Sequence, residues 1–350
     1  MSNYIINTNS LNAIANAIRD KAGSNDQLIF PDGFIDGINN INTTIGEDTL
    51  RGKIDGTLTD YSSNHILSLP SEAFVQWRLL RSISLPKCTI IGESAFHLCQ
   101  DLTTVDFPEC TTIGEHAFDN CDELTNLNFP KCVSVDRYAF YDCSKLTNLY
   151  FPECTTIKAH GFGRCFGITS VDFPKCTNIY YNVFSGLNKL TTINFPECIT
   201  IGDSAFNSCS ALTSVYFPKC KYIGENAFAY CDNLEYAHFP EAIDIDTNMF
   251  RECGLLTTVN FPKCQYIWEY AFRDCTKLSE IYLGSNTMCE LENVNAFENT
   301  PYSGNTEYFS DTPYIYVPSE LVESYKVAEN WSQFAQYFRP IEEVSNNQDD

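Results

Sequence analysis

Basic side chains are scarce in this sequence: 22 Lys and Arg stand against 45 Asp and Glu, a formal net charge of −23. A phosphate-binding surface must be basic, so the balance argues against a nucleic-acid partner and against an anionic membrane surface. Solubility is the plainest use of such acidity. Long apolar runs are missing too. No stretch approaches the roughly 18 apolar residues of a membrane span, which excludes membrane insertion by a helix. The start, MSNYIINTNSLNAIANAIRDKAG, has no basic segment followed by an apolar one. No signal peptide is therefore expected, and the chain is expected to be made in the cytoplasm and to stay there or leave by lysis.

The chemistry-bearing motifs are equally sparse. There is no nucleophile motif, no Gly-rich phosphate loop and no metal-ligand cluster, so neither catalysis nor a cofactor is expected. The five histidines, His65, His97, His116, His160 and His238, read as falling at unrelated phases and unable to converge. A glycosidase pair could be sought among Asp106, Asp172 and Glu280. Asp106 and Asp172 lie three repeats apart, roughly 14 Å at strand spacing, too far for such a pair.

What the chain does have is repetition. From Leu80 to Lys277 it divides into nine 22-residue lines without an insertion. Position 1 is Leu or Ile and position 6 is Phe after Leu85; position 12 is Ile or Val, position 17 is always Phe, and Pro follows position 6 every time. Positions 2 to 6, as in TTVDF, alternate polar and apolar. That pattern predicts a half-buried strand with positions 4 and 6 inward and 3 and 5 outward, ended by a Pro that cannot donate to a ladder. The IGEHAF segment then turns the chain and returns Ala and Phe to the interior. One such unit cannot bury its own apolar side; stacked units bury one another.

Spacing and consensus, LTxVxFPxCxxIGxxAFxxC, resemble the Treponema-type, or BspA-like, leucine-rich repeat across roughly residues 58–299. The resemblance implies an α/β leucine-rich-repeat solenoid with a parallel sheet on its concave side. It also implies a binding protein, since members are mostly surface or secreted proteins of bacteria and some parasites.

Position 8 alternates strictly from Lys87 and Glu109 to Glu241 and Lys263. Equal charges about 4.8 Å apart would repel, so alternation reads as a column in which each side chain has opposite neighbours. It also suggests growth by duplicating a two-repeat unit. Sixteen of the 17 cysteines occupy positions 9 and 20, and Cys289 stands alone. Disulfides within repeats would strand Cys176 opposite Leu187 and Cys253 opposite Ala242. Plain hydrophobes replace Cys where it is missing, so the cysteines read as buried reduced thiols of small apolar character.

The domain plan follows. Residues 1–45 form a helical module, 46–79 a linker and N-terminal capping repeat, 80–277 the nine repeats, 278–341 an irregular last repeat and α/β C-terminal cap, and 342–350 an acidic tail. Within the first segment, IANAIRDKAG and LIFPDGFIDGI resemble the N-terminal segment of tail-associated proteins of phages from gut and Gram-positive bacteria. That resemblance implies virion attachment through other tail proteins, leaving a homo-oligomer open; a cap packed on the solenoid is the alternative.

The outward strand positions are the candidate binding residues: Asp106, Asn128, Tyr150, Asp172, Asn194, Tyr216, His238, Asn260 and Tyr282 at position 5, with Tyr236 at position 3. Tyr faces stack on sugar rings or apolar side chains, and Asp and Asn supply hydrogen bonds, which suits a host-surface glycan or a protein loop. The same residues would also simply solvate a strand face. The sequence thus leads to a non-enzymatic binding solenoid, a virion protein for host recognition or, alternatively, a bacterial cell-surface adhesin; a carbohydrate-active enzyme is the remoter reading.

Overall fold

The structure, a computed structural model, describes residues 58–303 and 312–342. The expected N-terminal module and almost all of the acidic tail lie outside the described residues. Within them the chain coils into a solenoid. Each coil contributes one three-residue strand, such as Ser82–Ser84 and Thr104–Asp106, and one two-residue strand, such as Ile90–Ile91 and Thr112–Ile113. Every pairing is parallel, and between the regular coils it is in register with the repeat: Ser84 lies opposite Asp106, and Ile91 opposite Ile113. The longer strands stack into a wide sheet face and the shorter ones into a narrow face. The wide strands bear out the alternation read at positions 3 to 5. The narrow ladder falls inside the segment that reads only as a turn, because two residues are too few to show a period.

The rest of each coil is not helical. Its backbone alternates instead: Ser94, Phe96 and Leu98 donate to carbonyls of the next coil, while Ala95, His97 and Cys99 donate three residues back within their own. Every second N–H thus ties neighbouring coils and the others close tight turns, so the buried backbone is satisfied without a helix. The geometry requires positive φ at positions 15 and 19 of each coil, for example 53° at Ser94 and 61° at Leu98. Left-handed residues interrupt helical hydrogen bonding, which keeps the α component of this fold out of the repeats. The one α-helix among the described residues, Val322–Val327, belongs to the cap.

Two Phe columns run through the interior. Phe96, Phe118, Phe140 and their equivalents stack face to face at position 17, with centroids 4.9 Å apart at Phe96–Phe118. Phe107, Phe129 and Phe151 form the position-6 column and meet the first edge-on, as at Phe107–Phe118. Leu at position 1 and Ile at position 12 fill the remaining volume, fully buried at Leu102 and Ile113. In the first described coil Phe74 stacks on Phe96 and Trp77 packs edge-on against Phe74.

The C-terminal end closes differently. The strand Tyr314–Val317 pairs with Glu280–Tyr282, and Phe338–Pro340 pairs in parallel with Tyr314–Val317 after the helix. This strand–helix–strand cap lays Tyr325, Trp331, Phe334 and Phe338 over the last coil, all buried. Trp331 donates its indole N–H to the Cys289 carbonyl at 2.7 Å, and the Cys289 amide donates to the Tyr325 hydroxyl at 2.7 Å. Past Trp331 the chain forms a 3-10 helix over Ser332–Tyr337.

Candidate binding face

All ten candidate residues sit on the outward side of the wide sheet, at strand positions that are exposed or half-buried. The sheet register puts Asn128 beside Tyr150, Asp172 beside Asn194, and Tyr216, His238, Asn260 and Tyr282 in one unbroken row. The row is not uniform. Its N-terminal part is polar and internally bonded: Ser84 donates to Asp106 at 2.6 Å and Asn194 donates to Asp172 at 2.8 Å. Tyr150 projects alone there, 56% exposed.

Aromatic groups gather in the C-terminal third. Tyr216 lies against His238 with centroids 5.3 Å apart, and the Tyr236 hydroxyl sits 3.2 Å from His238 Nδ1. Burial holds His238 below its ordinary pKa, which keeps the ring neutral at neutral pH. Tyr282 stacks on Tyr316 at 4.7 Å and donates to Glu280 at 3.2 Å. Burial, then the Glu280 carboxylate, pushes the Tyr282 phenol up. Tyr314 packs beside Tyr316, and the Arg339 guanidinium covers Tyr314 at 4.7 Å. Tyr282 therefore belongs to an aromatic group fastened to the cap, whereas Tyr216, 58% exposed, offers an open face.

Sequence reasoning missed Tyr314 and Tyr316, because the cap strand lies outside the 22-residue period. The signal was present: YIYV alternates, and its two Tyr occupy one side of a strand. The histidines need correction as well. His116 and His160 share position 15, and two of the five, His97 and His116, meet across adjacent coils. The Asp119 carboxylate, only 5% exposed, lies 2.8 Å from His116 Nδ1 and 3.3 Å from His97 Nδ1. His116, Tyr138 and His160 then stack in a column with centroids 4.8 and 4.5 Å apart. Stacking of equivalent positions in successive coils joins what linear spacing separates. Among the described residues no group of three or more His, Cys, Asp or Glu is arranged to hold a metal ion.

The charge alternation is also resolved differently from a continuous column. Lys131 pairs with Glu109, Lys175 with Glu153, Lys219 with Glu197 and Lys263 with Glu241, at 2.5–2.7 Å. Among the described residues no ion pair links these dyads to one another, so each Lys leans toward the preceding coil only.

The signature of the BspA type leucine rich repeat region matches residues 67–191 and 177–303, well over half of the chain. The chain belongs to the BspA-type leucine-rich repeat family. Proteins of this family are in general binding proteins rather than enzymes. The BspA-type solenoid is similar to a leucine rich cell surface protein from Faecalibacterium prausnitzii A2-165, at 24% identity and TM-score 0.43, covering 69% of this chain and 76% of that one. It is similar to leucine-rich repeat proteins from Bacteroides ovatus and Eubacterium ventriosum, both at 18% identity. Their TM-scores are 0.39 and 0.41, with coverage of 79% and 69% of this chain and 88% and 83% of those chains. No curated protein matches the sequence.

Proposed function

We propose that this BspA-type solenoid is a non-enzymatic binding protein whose wide-sheet face takes a glycan or protein loop on a cell surface. The observation that carries this reading is the aromatic row at its C-terminal third. Tyr216, Tyr236 and His238 are clustered, partly open, and carried on paired strands, Tyr236–His238 with a ladder on both sides and Ser214–Tyr216 with one on its C-terminal side. Flat aromatic faces with adjacent hydrogen-bonding groups suit sugar rings and apolar side chains alike.

Where the protein is displayed is a finer part of the proposal. The N-terminal resemblance supports carriage on a phage virion, docked through residues 1–45 to other tail proteins. Family membership supports display on a bacterial surface as an adhesin. Labelling the protein on purified virions and on intact cells by electron microscopy separates the two.

Replacing Tyr216 and Tyr236 together by Ser tests the face itself. Neither side chain enters the core, so the melting temperature should hold. Binding to bacterial cells or their purified wall glycans should weaken at least about tenfold, as loss of an aromatic anchor does. Unchanged binding by the folded double variant would remove the aromatic row from the ligand site.

A further inference from the structure

Cys289, which falls outside the repeat spacing, is the most informative thiol in the molecule. The repeat cysteines each donate to a backbone carbonyl within 3.5 Å. Those at position 9 reach the carbonyl two residues on, as Cys88 does to Ile90, and those at position 20 reach back to the previous coil, as Cys99 does to Phe74. Cys289 does not share this arrangement. Its nearest backbone acceptor is the Glu290 carbonyl at 3.7 Å, whereas its sulfur lies 3.3 Å from Cys264 Sγ. The cause is a register change. Tyr266 pairs with Glu290, 24 residues on rather than 22, so the incoming chain no longer presents its thiol to the usual carbonyl. The backbone of Cys289 is at the same time clamped by Trp331 and Tyr325 of the cap.

We infer that Cys264 and Cys289 are a disulfide-forming pair that staples the C-terminal cap to the last regular coil. The register sets Cys289 one residue past the place level with Cys264; with coils about 4.8 Å apart, that diagonal stays within the Cα separation of up to about 6.8 Å that a disulfide spans. From 3.3 Å the sulfurs need approach by only about 1.3 Å to reach the roughly 2.0 Å of the bond. The oxidant is a hydroperoxide. One thiolate attacks the peroxide oxygen, giving a sulfenic acid and, after proton uptake, water. The second thiol attacks that sulfur, forming the S–S bond and releasing the sulfenic oxygen as another water. Two electrons and two thiol hydrogens pass from the pair to the peroxide. Burial of both thiols makes the step depend on brief opening of the cap, and a water-sized oxidant suits such an opening.

The test uses the full chain, fully reduced, freed of reductant and treated with hydrogen peroxide. The mass should fall by two hydrogens. Trypsin cleaves after Lys263, Arg273, Lys277 and Lys326, so the digest should contain residues 264–273 joined to residues 278–326. Fifteen thiols should remain titratable after denaturation, 17 less the two linked. The melting temperature of the oxidised protein should rise and return on reduction. Cys264→Ala should fold, because Ala242 already fills the equivalent place in the preceding coil, fully buried; it should form no link and show no rise. Retention of all 17 thiols by the native protein, or links formed first within the repeat columns, would overturn the pairing. A Cys264–Cys289 link without added thermal stability would overturn the staple.

Discussion

A thiol at each of two turns does what an aliphatic side chain could not. It fills a small buried volume and donates its weak hydrogen to a carbonyl that the turn leaves facing inward, as at Cys121 with Phe96 and Cys143 with Phe118. Leu187 and Ala242 show that volume alone suffices in single coils. The repeat cysteines thus combine small apolar volume with a weak hydrogen bond to the backbone. Burial pushes Cys154 up to about 11 and Cys99 and Cys110 up to about 12, and holds Cys121, Cys143, Cys209 and Cys253 well above the ordinary thiol value. The native state thus keeps thiol protons that the unfolded chain loses near pH 8.5. Stability is fully present below that pH and falls as pH rises toward the folded values. Several thiols shifted in the same direction make the alkaline loss of stability cumulative. Calorimetry between pH 7 and 10.5 should show a steep alkaline loss of the melting transition. A transition unmoved by pH across that range would mean that the thiols titrate normally in the fold.

At the scale of the element, one coil is a strand, a turn, a two-residue strand and a double turn, and charge is organised by pairs of coils. The Glu–Lys dyads repeat every 44 residues, as Lys131, Lys175, Lys219 and Lys263 show. Their partners are about half exposed, so each is worth only about 0.2–1 kcal/mol. Their larger effect is to keep like charges apart. Lys175→Glu would set a new carboxylate between Glu153 and Glu197, giving three successive coils the same charge. It should lower stability by about 1 kcal/mol at low ionic strength, with most of the loss recovered in high salt. Adding Glu153→Lys should recover only part of the loss, because it re-forms one opposite pair but sets a second lysine beside Lys131 and leaves a carboxylate beside Glu197. Equal loss at low and high salt would assign the effect to packing instead. The alternation of charge was legible in the sequence because it is strictly periodic. The direction in which each Lys leans was not, because it depends on the lateral offset between coils.

For the whole molecule, stability accumulates between neighbours: each coil buries its Phe pair against the next, and the two ends carry the risk. Trp331 and Phe334 seal the C-terminal end against Phe297 and the Cys289 backbone. Trp331→Ala removes both a large buried ring and the hydrogen bond to Cys289, at a cost of about 3–5 kcal/mol. In a solenoid that loss should be local. Hydrogen exchange should accelerate first around residues 266–303 and 312–342, while residues 80–200 keep their protection. Uniform loss of protection would show that the solenoid unfolds as one unit.

The sequence alone determined the repeat length, the solenoid, the inward residues and the outward row, because each follows from a period that every coil repeats. Phe at positions 6 and 17 and Ile or Val at position 12 could face only inward. Three features depended on the tertiary structure. Tyr314 and Tyr316 joined the aromatic row only when the cap strand paired with Glu280–Tyr282. His97 and His116 reached Asp119 only through the stacking of adjacent coils. Cys289 met Cys264 only because two extra residues shifted the register of the last pairing. A period specifies what every coil shares. Contacts that arise where the period breaks, or that join different positions of neighbouring coils, are set by how the coils stack.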